Sequence, residues 1–208
     1  MKKPFSLPVF IQESNKIDPQ PDERGGVIPG MEPGDLLYDN QEAAFELARE
    51  FASLETVSDS IALDLHRALT RNVPYFEERG QSGVYRRRQV WIGGEQAPAA
   101  AIVPSLMHHI WSYCTNQWLQ AARSGEINPV EAAWSCHHLF EVIHPFIDGN
   151  GRTGRLLLNW FLVACNQEPV VVYYDKREDY YRSIQHFRNR VYPTLYHEFL
   201  IRMGDPSS

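Results

Sequence analysis

The sequence predicts a mainly α chain, a helical bundle carrying one small β-hairpin. Three observations lead there. Apolar residues recur at helical spacing in segment after segment from residue 40 onward. Start and stop signals bracket those segments, Ser124-Gly125 and Asn128-Pro129 being the clearest. Only residues 83–97 change to an alternating pattern.

Composition sets the frame. The chain has 208 residues, 43% hydrophobic, which suits one domain with a full core. A net charge of -6 on a mixed-sign surface argues against broad electrostatic binding to nucleic acid. Cys114, Cys136 and Cys165 lack CxxC spacing and lie in apolar runs, so buried free thiols are expected. The apolar stretch at the N-terminus is broken by Pro8 and does not read as a signal peptide. The longest strongly apolar run, 156–165, is too short to span a bilayer. A soluble, cytoplasmic chain is the expectation.

Residues 1–40 are rich in proline and glycine, with room for one short helix between Val9 and Ile17. Its face would carry Val9, Phe10, Glu13 and Ile17. The segment reads equally as an arm laid over the domain or as a disordered tail. Asn40 is expected to cap a helix running to Leu54, with Ala44, Leu47 and Phe51 inward. Thr56 or Ser58 starts another, burying Ile61, Leu65 and Leu69 and ending at Asn72 to Pro74. His66 within it reads as a hydrogen-bonding residue at the edge of the core.

Residues 83–97 suggest a hairpin turning at Gly93-Gly94. The triplet Arg86, Arg87 and Arg88 would either solvate it or hold an acidic partner. Pro104 opens a helix to about Arg123, with Leu106, His109, Ile110, Tyr113 and Leu119 near its apolar face. Asn128 caps the next, which must stop before Pro145 and so delivers His144 at the end of a rigid element. Residues 155–166 are apolar nearly all round, as befits the centre of a bundle. Val170 to Tyr174 reads as an extended link. Two further helices, Glu178–Arg190 and Pro193–Arg202, are expected before a tail at 204–208.

Between the two central helices lies a segment dense in chemistry. His144 can accept a proton near neutrality. Asp148 offers a hard oxygen ligand of the kind Mg²⁺ takes together with phosphate and water. Gly149-Asn150-Gly151 can turn tightly and aim backbone N–H groups one way, an anion nest at a helix start. Arg152 and Arg155 share a face of that helix and can grip phosphate oxygens. The segment is neither a Walker A loop nor a dinucleotide fingerprint, since no Lys-Ser/Thr pair follows it and no strand precedes it.

His144-Pro145-Phe146-Ile147-Asp148-Gly149-Asn150-Gly151-Arg152-Thr153-Gly154-Arg155 matches all nine fixed positions of HPFx[D/E]GNGRxxR. It resembles the signature of the Fic (filamentation induced by cAMP) family. Gly83-Val84-Tyr85-Arg86 and Val90-Trp91-Ile92-Gly93-Gly94 are similar to the family's run into its flap hairpin. The resemblance covers roughly residues 40–200. It implies a Fic-type helical bundle, organised as an arm (1–39), a core (40–203) and a tail.

The activity implied is transfer of AMP from ATP to a Ser, Thr or Tyr hydroxyl of a protein, with Mg²⁺. Carried over by resemblance, His144 deprotonates the acceptor and Asp148 holds Mg²⁺. Gly149, Asn150 and Gly151 bind phosphate, Arg152 stabilises the leaving group, and Arg155 takes the γ-phosphate. Gln89, Val90, Trp91, Ile92 and Gly93 form the flap that docks the target chain. Presence of Gly151 and Arg155 favours AMP over phosphate transfer, with UMP or GMP as alternative donors. A protein substrate is implied, with self-modification and a homodimer as further expectations.

Many relatives carry an inhibitory helix, [S/T]xxxE[G/N], whose glutamate pairs with the second arginine of the signature. Ser14 to Pro19 resembles it, with Asp18 for Glu and Pro19 for Gly or Asn. Aspartate is one methylene shorter and is expected to reach Arg155 less well. Thr194 to Glu198 is a weaker match. Rival readings are a regulatory or scaffold protein that binds nucleotide with little turnover, an enzyme that removes AMP, and a DNA-associated regulator, which the charge disfavours.

Overall fold

The computed structural model describes residues 4–18 and 32–202, with side chains to residue 191. Pro19, the other prolines and glycines of 19–31 and the tail at 204–208 lie outside the described residues, as do the side chains of Thr194 to Glu198. The helices are α1 (Leu7–Ile17), α2 (Leu36–Phe51), α3 (Ser60–Thr70), the single turn α4 (Pro74–Glu77), α5 (Val103–Ser105), α6 (Ser112–Ser124), α7 (Pro129–Ile143), α8 (Asn150–Ala164) and α9 (Arg177–Arg202). A π-helical turn, Leu106–Trp111, fuses α5 to α6. The described residues hold one sheet, an antiparallel pair of β1 (Trp91–Ile92) and β2 (Glu95–Gln96). The predicted mainly α bundle with a small hairpin is what the chain forms.

α8 is the axis. Leu156, Leu157, Leu158, Trp160, Phe161 and Leu162 are all buried. It packs on α7, α2 and α3, while α9 closes the far side of α7. α1 crosses α2 and α8 and buries Phe10, Ile11, Ser14, Asn15 and Ile17. That face is turned from the expected one: Ile11 and Ser14 go inward, and Val9 and Glu13 are only half-buried. Ser14 on that buried side is matched by α8, where Arg155 donates to its hydroxyl and carbonyl.

Several elements differ from their sequence signals for identifiable reasons. α2 starts at Leu36, because Asp35 and Asp39 accept the Glu32 and Gly34 N–H groups and close the preceding turn. Asn40 is therefore inside the helix, buried, and its amide donates to the Leu69 and Arg71 carbonyls at the end of α3. It satisfies the end of another helix rather than the start of its own. α3 begins at Ser60, after both expected starts. Asn72 ends it in the left-handed conformation at φ 59°.

The π turn adds a residue to its turn and rotates the helix beyond it. Met107 and Trp111 go inward, and His109 and Tyr113 face out. Asn128 accepts from the Val130 and Glu131 N–H groups, as its capping position requires. Residues 170–173 form the extended link, fastened where the Val170 N–H meets Asn159 Oδ1 at 2.7 Å. α9 runs unbroken through Pro193 for 26 residues. A proline removes one bond from the backbone ladder, and a helix of this length carries the loss without ending.

Candidate active site

α7 ends at Ile143 and α8 begins at Asn150, and the six residues between them hold His144 and Asp148. His144 turns the chain out of α7 in the left-handed conformation, φ 52° and ψ 63°, with its N–H on the Phe140 carbonyl. Gly149, at φ 78°, opens α8. Asn150 is spent inside this loop: its Oδ1 accepts the Phe146 N–H and its Nδ2 donates to the Phe146 carbonyl, both at 2.9 Å. The Asn150 side chain thus braces the loop. The first turn of α8, at Asn150 and Gly151, still presents the positive end of the helix.

His66 supports the loop from α3. It is fully buried and stacks on Phe146 at 3.8 Å between ring centroids. Its Nδ1 accepts the Gly83 N–H, so Nε2 carries the proton and donates to the Asp148 carbonyl at 3.0 Å. Burial pushes its pKa down to about 3. Sequence placed His66 at the core edge as a hydrogen-bonding residue; the hydrogen bonds are there, at the centre.

The His144 ring is about one-fifth exposed, with its Nδ1 edge buried. Burial, and then the Arg86 charge, push its pKa down to about 4, so it is neutral and able to accept a proton at pH 7. Asp148 is one-third exposed, and its Oδ1 accepts the Gly149 N–H at 2.6 Å and lies 3.9 Å from Arg152 Nη2. Arg152 is itself buried.

Arg155 is 1% exposed and turned toward the arm. Nε donates to Ser14 Oγ, and Nη2 donates to the Ser14 carbonyl and to Asp18 Oδ2, all at 2.8 Å. Nη1 reaches the Tyr180 hydroxyl at 3.4 Å. Burial alone would weaken its hold on the proton, but Asp18, Tyr180 and Glu141 outweigh that and raise its pKa. The shorter aspartate does reach. It ends α1, and Gly151 lets it lie against α8, since a Cβ there would collide with Asp18 Oδ2.

The hairpin is fixed at both sides. Gln89 Nε2 donates to the Val90 and Ala97 carbonyls, and Trp91 pairs with Gln96 and Ile92 with Glu95 around Gly93-Gly94. Arg188 of α9 donates to the Gln96 carbonyl and pairs with Glu95. Trp91 is 63% exposed.

Sequence reasoning missed three residues. Arg86 is buried, where alternation suggested a surface or partner-facing role: it donates to the His144, Pro98 and Arg88 carbonyls, and its N–H meets the Pro145 carbonyl. Glu141 is buried beside His144, and its only sequence signal is being the lone charged residue of 132–143. Tyr180 joins Arg155 to His137, whose Nε2 lies 3.1 Å from its hydroxyl. Two guanidiniums, a helix start, one carboxylate and a neutral imidazole suit a polyphosphate, a divalent cation and a proton to be removed.

Comparison with known proteins agrees with that chemistry. The model of the Fic/DOC family matches residues 56–162. The Drosophila grimshawi protein named protein adenylyltransferase Fic is 36% identical over 123 residues, 59% of this chain and 24% of that protein. The Drosophila mojavensis protein of the same name is 35% identical over the same length, 59% of this chain and 23% of that protein. The chain thus spans about a quarter of the length of these relatives. A Fic domain-containing signaling protein of Bacteroides thetaiotaomicron superposes with a TM-score of 0.64 at 19% identity, covering 93% of this chain and 84% of that one. Fic-1 of C. elegans, residues 134–508, gives 0.63 at 23% identity, covering 96% and 64%. These two structures share the fold.

Proposed function

The chain belongs to the Fic/DOC family, and from that premise we propose that it transfers AMP from ATP to a Ser, Thr or Tyr hydroxyl of a protein, and that its arm holds the site closed at rest. The observation that carries this reading is the meeting of His144, Asp148, Arg152 and Arg155 around the first turn of α8. In the reaction the acceptor oxygen bonds to the α-phosphorus, the bond to the bridging oxygen of the β-phosphate breaks, and pyrophosphate leaves. The hydroxyl proton passes to Nε2 of His144. Arg152 and Arg155 offset the charge that develops on the departing phosphates. The catalytic gain is mainly positioning and charge neutralisation.

Asp148 fits Mg²⁺: it is a single, partly exposed carboxylate, and magnesium is commonly held by one or two carboxylates with phosphates and water. Mg²⁺ there would neutralise phosphate charge. The arm (1–39) acts on the core (40–203) through Ser14 and Asp18, which occupy the Arg155 donors that a γ-phosphate would use. The edge of β1 from Gln89 to Gly93 offers a target chain strand-like pairing. No helix of the described residues is long and apolar enough to cross a membrane.

The test uses α-labelled ATP and Mg²⁺ with a lysate, comparing wild type, H144A and D18G, and identifies labelled residues by mass spectrometry. Label on hydroxyl side chains with D18G and none with H144A is expected. Equal labelling by D18G and H144A overturns the reading. Label from α-labelled UTP or GTP in preference to ATP would reassign the donor.

A further inference from the structure

Glu141 sits one turn before His144 in the interior of α7, only 6% exposed. Its Oε2 lies 3.9 Å from His144 Nδ1. No hydrogen bond of good geometry reaches that nitrogen, and the other carboxylate oxygen, Oε1, is likewise buried and without a partner. Buried polar atoms are rarely left so. Here an atom that can donate and a group that can only accept when ionised lie side by side, about 1 Å beyond hydrogen-bond distance.

The fold makes room for the carboxylate. Gly154 on α8 has no side chain, and a Cβ there would collide with Glu141 Oε1. His144 leaves the helix at φ 52°, a conformation costly for a residue with a Cβ.

We propose that Glu141 is the positioning residue of His144: its carboxylate accepts the Nδ1–H, leaving the lone pair on Nε2 to meet the acceptor hydroxyl. This rests on the AMP-transfer reading for its purpose, though not for its geometry. When Nε2 takes the proton, the ring becomes a cation, and an ionised carboxylate at Nδ1 stabilises it. The Nδ1 proton stays where it is.

The surroundings tie this pair to the arm. Burial pushes the Glu141 carboxyl up to about 8, Asp18 pushes in the same direction, and Arg155 opposes them. Tyr180 and His137 complete the pocket from α9 and α7. Arg86 from the flap side, Asp18 and Asp148 face His144 itself, and the Glu141 backbone carbonyl also favours a proton on that ring. Removing Asp18 leaves Arg155 as the dominant charge beside Glu141, so the carboxylate ionises at lower pH. Leaving the site, the arm would free Arg155 and sharpen the base in one movement.

The test is ¹⁵N NMR of the His144 imidazole in the full chain, for wild type, D18A and E141Q, joined to AMP transfer by D18A with and without E141Q across pH. The expected tautomer carries its proton on Nδ1 in the wild type and D18A. In the D18A background, where the carboxyl ionises at lower pH, E141Q should lower the imidazole pKa and lower kcat about 10- to 100-fold with little change in KM for ATP. Its acid limb should move to lower pH, and E141D should recover part of the rate. A wild-type tautomer protonated on Nε2 overturns the proposal, even if E141Q does not fold. So does an imidazole pKa unchanged by E141Q in the D18A chain. An Nδ1–H tautomer and a pKa shift in a D18A chain that transfers no AMP would uphold the pairing and overturn the AMP-transfer reading instead.

Discussion

The Nε of Arg86 donates to the backbone carbonyl of His144 at 2.8 Å, and the same guanidinium bonds the Pro98 carbonyl at 2.6 Å. One buried cation thus joins the end of α7 to the base of the hairpin. R86A leaves several carbonyls without a donor, and a loss of about 2–4 kcal/mol is expected in chemical denaturation. R86K should recover little of it, because an ammonium cannot reproduce the planar fork. Full stability of R86K would show that the charge alone suffices.

The ion pair between Asp18 and Arg155 gives a prediction of opposite sign for rate and stability. D18A should raise self-labelling from α-labelled ATP about 10-fold or more. It should also lower stability by roughly 1–2 kcal/mol, a figure discounted because the Asp18 side chain is 37% exposed although Arg155 is buried. A rate equal to wild type would remove the arm from the account of control.

Gly151 separates the two functions of its position. G151A should push the Asp18 carboxylate off α8, which limited proteolysis of the arm would register as faster cleavage. The same methyl crowds the helix start, so AMP transfer should fall below that of D18A. An arm as resistant as wild type would mean that Asp18 can shift without leaving.

Acid should weaken the fold. Burial holds His66 and His137 down at about 3, and His138 and His144 at about 4, against an ordinary 6.5. As pH falls below 6.5 the unfolded chain takes these protons first, so stability drops by roughly 1 kcal/mol per pH unit for each histidine. Glu141 acts the other way. Its folded carboxyl, raised to about 8 against an ordinary 4.5, adds stability at low pH that is lost as pH rises through that window. Four histidines outnumber one glutamate, so the thermal midpoint should fall between pH 6.5 and 5. A flat midpoint would contradict the burial of these rings.

The legible parts of the sequence were those in which residue identity is itself the signal. The segment 144–155 declares its chemistry through side chains set at fixed spacing, and Asn128-Pro129 declares a helix start through a backbone need. What stayed hidden depends on where the chain comes to rest. Arg86 alternates like a surface residue, yet the distant His144 and Pro98 carbonyls draw it inside. Asn40 looks like a cap and is one, for a different helix. The π turn puts Tyr113 outside by adding a residue that no periodicity count contains. Glu141 was visible as a lone charge, but only packing against Gly154 and His144 gives it a task.

Asp18 and Arg155 lie 137 residues apart on one chain. Their meeting is unimolecular, so its occupancy is independent of how much protein is present. A nucleotide contending for the same guanidinium faces an intramolecular competitor, whose effective concentration does not change with the amount of protein. The set point of such a device is written in tether length and contact strength, and a single cut between arm and core would reset it irreversibly.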